Sequence, residues 1–173
     1  MNIDKLREQL KIDEGVKYEV YLDHLGYKTF GIGHLVVAGD DEYGADVGHP
    51  VSEERVNNVF NKDVETYISE AKKVFPNLED LPEEAQQVIV NMCFNMGAPR
   101  LGQFKKFIAA VNDSNWSTAA VEMMDSRWAK QVGARAERLR DRVQAISWNS
   151  KSLNDEHREA RDSLNDMYSQ KGI

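Results

Sequence analysis

The chain has a single cysteine, Cys93, among its 173 residues. No internal disulfide can form, so a core has to hold the fold, and a reducing compartment is the expected place of folding. No apolar run approaches the roughly 18 residues of a membrane span, which leaves no sequence candidate for insertion. The first 12 residues, MNIDKLREQLKI, mix charges into an amphipathic pattern. They lack the apolar stretch of a secretory signal, so no export by that route is expected. Internal repeats and low-complexity segments are also missing.

Basic charge is scarce, and unevenly so. Residues 1–70 carry 7 Lys and Arg against 15 Asp and Glu, and the whole chain has a net charge of −7. That balance argues against a general nucleic-acid binder. One local exception is RWAKQVGARAERLRDR, residues 127–142, with six basic and two acidic side chains. It reads either as a solvated helix face or as a site that attracts an anionic ligand.

What is present is a change of periodicity. Residues 3–14 repeat apolar positions at helical spacing, with Gly15 as the stop. Residues 17–22 and 27–32 alternate and are rich in Tyr and Val, with the turn Asp23-His24-Leu25-Gly26 between them. Gly31 and Gly33 suggest close backbone approach, and a short third strand is expected at 34–37. A Gly- and Asp-rich loop covers 38–50. Its Asp40, Asp41, Glu42 and Asp46 lack the Gly and terminal Glu of an EF-hand loop. From Ser52 onward the pattern is helical: 52–74, a break between Pro76 and Pro82, 82–96 stopping at Gly97, then 101–111, 116–124, 127–131 and 134–147. The tail, 149–173, is expected to form a weakly docked polar helix. Met92, Cys93 and Met96 read as core filling. The fold class is therefore α+β, a small antiparallel lobe followed by a larger helical one, joined by the long helix 52–74, with a cleft between the lobes.

Two acids in the opening stretch stand out. Glu14 lies at a helix C-terminus, where the macrodipole disfavours negative charge, and its apolar neighbours Ile12, Val16 and Val20 could desolvate it. Asp23 lies in a turn that is wetter and offers backbone N–H donors. Glycoside hydrolysis needs two carboxyls in such unlike settings, one to donate a proton and one to stay ionised. Thr29, six residues on and across the hairpin, could hold a water beside Asp23. Surface solubilising acids would show the same residue types.

The block E-G-x-x-x-x-x-Y-x-D-x-x-G-Y-x-T-x-G-I-G-H, from Glu14 to His34, resembles the T-even phage-type lysozymes, the endolysins of glycoside hydrolase family twenty-four. Further segments follow in order: F-N-x-D-V at 60–64, N-M-x-F-x-M-G at 91–97, S-R-W at 126–128 and Q-x-x-x-R-A-x-R at 131–138. Trp116 and Trp148 also fall where that family has tryptophans. The resemblance implies a lysozyme-like fold over residues 1–148, with the β lobe at about 15–50 and the helical lobe at about 75–148 plus the helix 3–14. Residues 149–173 would be a C-terminal extension. It implies an inverting muramidase that cuts the β-1,4 bond between N-acetylmuramic acid and N-acetylglucosamine in peptidoglycan. No metal or other cofactor, nucleic acid or membrane insertion is implied, and a monomer is expected. The enzyme would wait in the host cytoplasm until the membrane is permeabilised.

By the same resemblance, Glu14 is the general acid, Asp23 activates water, and Thr29 stands beside that water. Arg135 pairs with the catalytic glutamate, while His34 and Asp63 form a buried structural ion pair. Leu35, Phe94, Asn95 and Arg127 contact the saccharide. Leu25 replaces an acid next to the groove, removing a pairing with Arg127, and Phe107 and Glu122 stand where relatives have polar contacts. A glycan-binding or scaffold protein with this fold is the alternative, and loss of Glu14, Asp23 or Thr29 would have favoured it.

Overall fold

The computed structural model describes the backbone of residues 1–170, and their side chains except 151, 154, 155 and 164–170. Backbone contacts divide the chain into two compact units, Met1–Gln103 and Phe104–Ile173.

The first unit opens with helix α1, Ile3–Glu14, capped by Asn2, whose side chain accepts the Lys5 N–H. Strands β1 (Lys17–Leu22), β2 (Lys28–Gly31) and β3 (His34–Leu35) then form an antiparallel sheet in chain order. Gly31 permits the sheet to lie close against the next helix, since a Cβ there would stand 3.0 Å from Val56 Cγ1. Its φ of +61° also favours glycine. The free edge of β1 is covered by the end of the following loop: Val20 donates to His49 O at 2.9 Å, and Val51 to Tyr18 O at 2.9 Å. Sequence patterning expected only a loop here, because pairing between residues thirty apart leaves no local signal.

Helix α2, Glu53–Val74, starts at Ser52, whose hydroxyl accepts the Arg55 N–H. Its apolar stripe of Val56, Val59, Phe60, Val64 and Ala71 is buried. A 3₁₀ turn, Leu78–Asp80, leads to α3, Glu83–Leu101. Every residue of α3 from Ala85 to Cys93 is buried, which makes it the central element of this unit. The long helical run stops at Gly97, as expected. That residue leaves helical geometry (φ 78°, ψ 158°), and the chain then resumes helical turns to Leu101. Met92, Cys93 and Met96 are buried, as their composition suggested.

The second unit is helical: α4 (Lys105–Asn112), α5 (Trp116–Met124), α6 (Arg127–Val132) and α7 (Ala134–Gln170). Trp116, Ala119, Ala120 and Met123 of α5 are buried, as are Ala136, Leu139, Val143 and Ile146 of α7. Phe107, expected near a polar contact site, is a core residue packed edge-on to Phe104. The expected end of a helix at 147 and a separate docked tail are both corrected. Helix α7 runs unbroken for 37 residues because neither Gly nor Pro interrupts it after Gly133. Its described side chains between 152 and 163 are exposed rather than docked.

Candidate active site

Helix α1 is pinned to α3 at both ends. At its start, Asn2 N donates to Glu83 Oε1 at 2.9 Å, Gln87 Nε2 donates to Asn2 O at 3.3 Å, and Lys5 pairs with Glu84. At its end, Asn91 Nδ2 donates to Asp13 Oδ2 at 2.8 Å. Asn91 is fully buried, so its amide needs that acceptor. The acid at the helix end thus has a structural reason: Asp13 is an anchor, and it offsets the unfavourable dipole by a hydrogen bond. Leu6 and Leu10 fill the space between the two ends. Glu14 is therefore carried on the last position of a fixed helix, half-buried, just before Gly15 turns the chain at φ 77°. The expected apolar surround is only partly there. Ile12 is 66% exposed and Val16 half-buried, while Val20 is buried. Ile12 points outward because the inner face of α1 belongs to Leu6 and Leu10.

Asp23 closes the hairpin turn. Its Oδ1 accepts the backbone N–H of both Leu25 and Tyr27 at 2.9 Å. The backbone of Tyr27 also receives Asp23 N on its carbonyl at 2.9 Å. That same carbonyl accepts Thr29 Oγ1 at 3.1 Å. One peptide group thus ties Asp23 to Thr29, which is 4% exposed. Thr29 stands directly opposite Tyr21 on β1 and Leu35 on β3, so the three share one face of the sheet. The phenol of Tyr21 has its pKa raised, first by burial and then by the charges of Asp23 and Glu14. Both acids therefore act on the same ring, over which Lys17 Nζ sits at 4.3 Å from the centroid.

His34 and Asp63 form the expected pair, with Nδ1 and Oδ2 2.7 Å apart. The sequence reading missed a second partner: His34 Nε2 lies 3.0 Å from Asp40 Oδ2. Carboxylates on both ring nitrogens are satisfied only by the doubly protonated imidazolium. Burial alone would lower the His34 pKa, but the hydrogen bonds and charges of Asp63 and Asp40 outweigh it and raise it above 6.5. Burial likewise pushes Asp40 up. The N–H of Val37, His34 and Arg55 prevail and hold it below its ordinary 3.8. Arg55 continues the network to Glu42, with Nη2 to Oε2 at 2.8 Å. That bond depresses the Glu42 carboxyl and raises the guanidinium. The acidic loop is thus used to lock β3 and the loop onto α2. The only signal for this in the sequence was a run of acids without a calcium-loop pattern.

Of the four expected saccharide contacts, Leu35 is exposed on the sheet face that carries Thr29. Phe94 is half-buried on α3, with its ring 4.6 Å from Tyr67 and 6.4 Å from Phe60, and Asn95 beside it is exposed. Arg127 and Arg135 belong to the second unit, where Arg127 is exposed at the start of α6 and Arg135 is buried near the start of α7. Among the described residues, no cluster of three or more His, Cys, Asp and Glu could hold a metal, and no helix is long and apolar enough to cross a membrane.

The arrangement of acids coincides with a wider similarity. The family model described as Phage lysozyme matches residues 11–145, which include every candidate residue above. The chain is 30% identical to "Probable T4-type lysozyme 2" of Dictyostelium discoideum over 159 residues, covering 79% of this chain and 92% of that protein. "Probable T4-type lysozyme 1" of the same organism is 29% identical over the same length. "Pre-baseplate central spike protein Gp5" of Enterobacteria phage T4 is 28% identical over 152 residues, but these make up only 26% of that larger protein. With its small N-terminal antiparallel sheet and helical remainder, this α+β chain belongs to the phage lysozyme family.

Proposed function

We propose that the chain is an inverting muramidase, hydrolysing the β-1,4 bond between N-acetylmuramic acid and N-acetylglucosamine in peptidoglycan. Glu14 protonates the glycosidic oxygen as the bond breaks. Asp23 takes the proton of a water that attacks the anomeric carbon from the opposite face, and Thr29 orients that water. The observation that carries this reading is the Tyr27 bridge. It fixes Asp23 through Oδ1, leaves Oδ2 without a hydrogen-bond partner among the described residues, and holds the hydroxyl of buried Thr29 on the Tyr27 carbonyl. An inverting pair requires the carboxyls roughly 6.5–9.5 Å apart, room for one water. The reaction needs no metal. In the cell the protein acts alone as an endolysin, held in the host cytoplasm until the membrane is breached.

The test is clearance of chloroform-treated Gram-negative cells, with NMR of the first product. The wild type should clear the suspension and release the α-anomer. Glu14→Gln keeps the shape but has no proton to give, so its rate should fall about 10²–10⁴-fold with the melting temperature unchanged. Lysis by that variant within a few-fold of wild type would sink the assignment. A second reading, a glycan-gripping or scaffold protein, draws on the similarity to part of a spike protein. It predicts binding to cell walls without clearance by the wild type.

A further inference from the structure

Helix α7 keeps one spacing along its whole length. Ala136, Leu139, Val143 and Ile146 follow one another at alternating steps of three and four residues, and all four are buried within the second unit. The same alternation continues without a break through Ser150, Leu153, His157 and Ala160, and in the sequence to Leu164 and Met167. Residues 136–170 thus form five successive heptads with one stripe running through them. The core of the unit covers the stripe in the first two heptads. Beyond them it is uncovered: Ser150, Leu153, His157 and Ala160 are all exposed, Leu153 to 57%. Most of the stability of a helix comes from packing one of its faces. This stretch has such a face, and none of the described residues lies on it.

The charges beside the stripe indicate what does. With Ser150 and His157 at heptad position a, Leu153 and Ala160 take position d. Several charges of the stretch have an opposite charge four residues on, as in Lys151 with Asp155 and Arg158 with Asp162. Glu156 and Arg161 do not. No basic residue stands three or four positions from Glu156, and no acidic one from Arg161. Glu156 is at position g and Arg161 at the following e, on opposite flanks of the stripe. In a parallel pair of helices, g of one chain meets the next e of the other. In an antiparallel pair g meets g and e meets e. From residue 149 to 170 the g positions hold no base and the e positions no acid, so no opposite charges would then face each other.

We propose that residues 150–170 pair with the same segment of a second copy of this chain, as a parallel two-stranded coiled coil. Leu153 and Ala160 pack against their counterparts, and Glu156 of each copy pairs with Arg161 of the other. Polar Ser150 and His157 at position a fix the register at a cost in stability. Two lysozyme-family domains then share one stalk, and no other protein is needed. The monomer implied by the family resemblance concerns residues 1–148, which end before this segment. The pairing does not depend on the muramidase reading.

Sedimentation equilibrium of the full chain is the test. The wild type should pass from monomer to dimer as its concentration rises from low to hundreds of micromolar. Leu153→Glu keeps a good helix former but sets a charge on the stripe. It should stay monomeric over the same range, with the melting temperature unchanged. Glu156→Arg and Arg161→Glu should each raise the dimer dissociation constant about tenfold, because each turns two attractive pairs into two repulsive ones. The double variant should recover the wild-type value, and the two single variants mixed together should form heterodimer in preference to either homodimer. Ser150→Cys should close a disulfide between copies on oxidation, since parallel register sets the two a positions opposite each other. A wild type that stays monomeric, or forms a larger assembly, overturns the proposal, as does a dimer that Leu153→Glu leaves intact. Charge variants that fail to rescue each other, or a Ser150→Cys chain that does not cross-link, overturn the parallel pairing.

Discussion

Asp23 and Asp40 are two aspartates of the same unit, each in a short connection and each accepting backbone N–H groups, yet their surroundings differ. Asp23 takes the N–H of Leu25 and Tyr27 and meets no cation among the described residues. Asp40 takes the N–H of Val37 at 2.8 Å, then His34 at 3.0 Å and Arg55 at 3.4 Å. Neutral donors fix the position of a carboxylate without cancelling its charge. Cationic partners fix it and cancel the charge as well. The first arrangement leaves the charge of the carboxylate uncancelled, and the second ties a loop to a helix. Residue type and turn context do not separate the two, whereas the partners do.

The sharpest way to break this contrast is to neutralise each aspartate in turn. Asp23→Asn keeps an oxygen for both backbone donors, so the fold should stand while hydrolysis drops about 10²–10⁴-fold. Asp40→Asn should do the reverse, retaining lysis and losing about 2 kcal/mol of stability through its charge-assisted bonds. Chemical unfolding of both variants alongside the lysis assay reads the two effects. Loss of activity in Asp40→Asn at full stability would put that residue in the site and erase the distinction.

A loss of stability somewhat larger than that of Asp40→Asn is expected at the hub of the structural cluster. Arg55→Met removes the cation from Glu42 and Asp40, both largely buried. Asp40 keeps His34 and the Val37 N–H, but Glu42 loses its cation, and a buried carboxylate left in that way costs about 3 kcal/mol. Denaturant unfolding should register that loss, and a near-neutral result would mean that the loop relaxes to hydrate both acids.

The smallest expected effect is confined to a range of pH. His34 has a raised pKa in the folded state, so its contribution is complete below 6.5 and is lost as pH rises through the folded value. Asp40 has a lowered one, so its contribution is complete above 3.8 and is lost as pH falls through its folded value. The stability difference between wild type and His34→Asn should therefore be widest between 3.8 and 6.5, and narrow on either side. Within that window it should amount to about 1.5 kcal/mol, because asparagine retains one weaker hydrogen bond. A difference that stays constant from acid to alkaline pH would show that packing against Phe30, whose ring lies 4.9 Å away, outweighs the charges.

What could be read from the chain alone was whatever depends on near neighbours. The limits of α1, β1, α2 and α5 follow from caps, alternation and a stop glycine, each decided within about one turn of chain. The block from Glu14 to His34 placed Glu14, Asp23 and Thr29 within one short segment. The pairing of His34 with Asp63 came from resemblance rather than from any local rule. The rest required the folded chain. Asn91 reaches Asp13 across 78 residues, and that contact explains an acid at a helix end which local electrostatics disfavours. Asp40 and Arg55 complete the His34 cluster only because the loop folds back onto the start of α2. Tyr67 meets Phe94 because α2 packs on α3. Local structure is decided by backbone sterics and hydrogen bonds a few residues apart. The partner of a charge or a ring is decided by which surfaces the core brings together, and no window of sequence contains both.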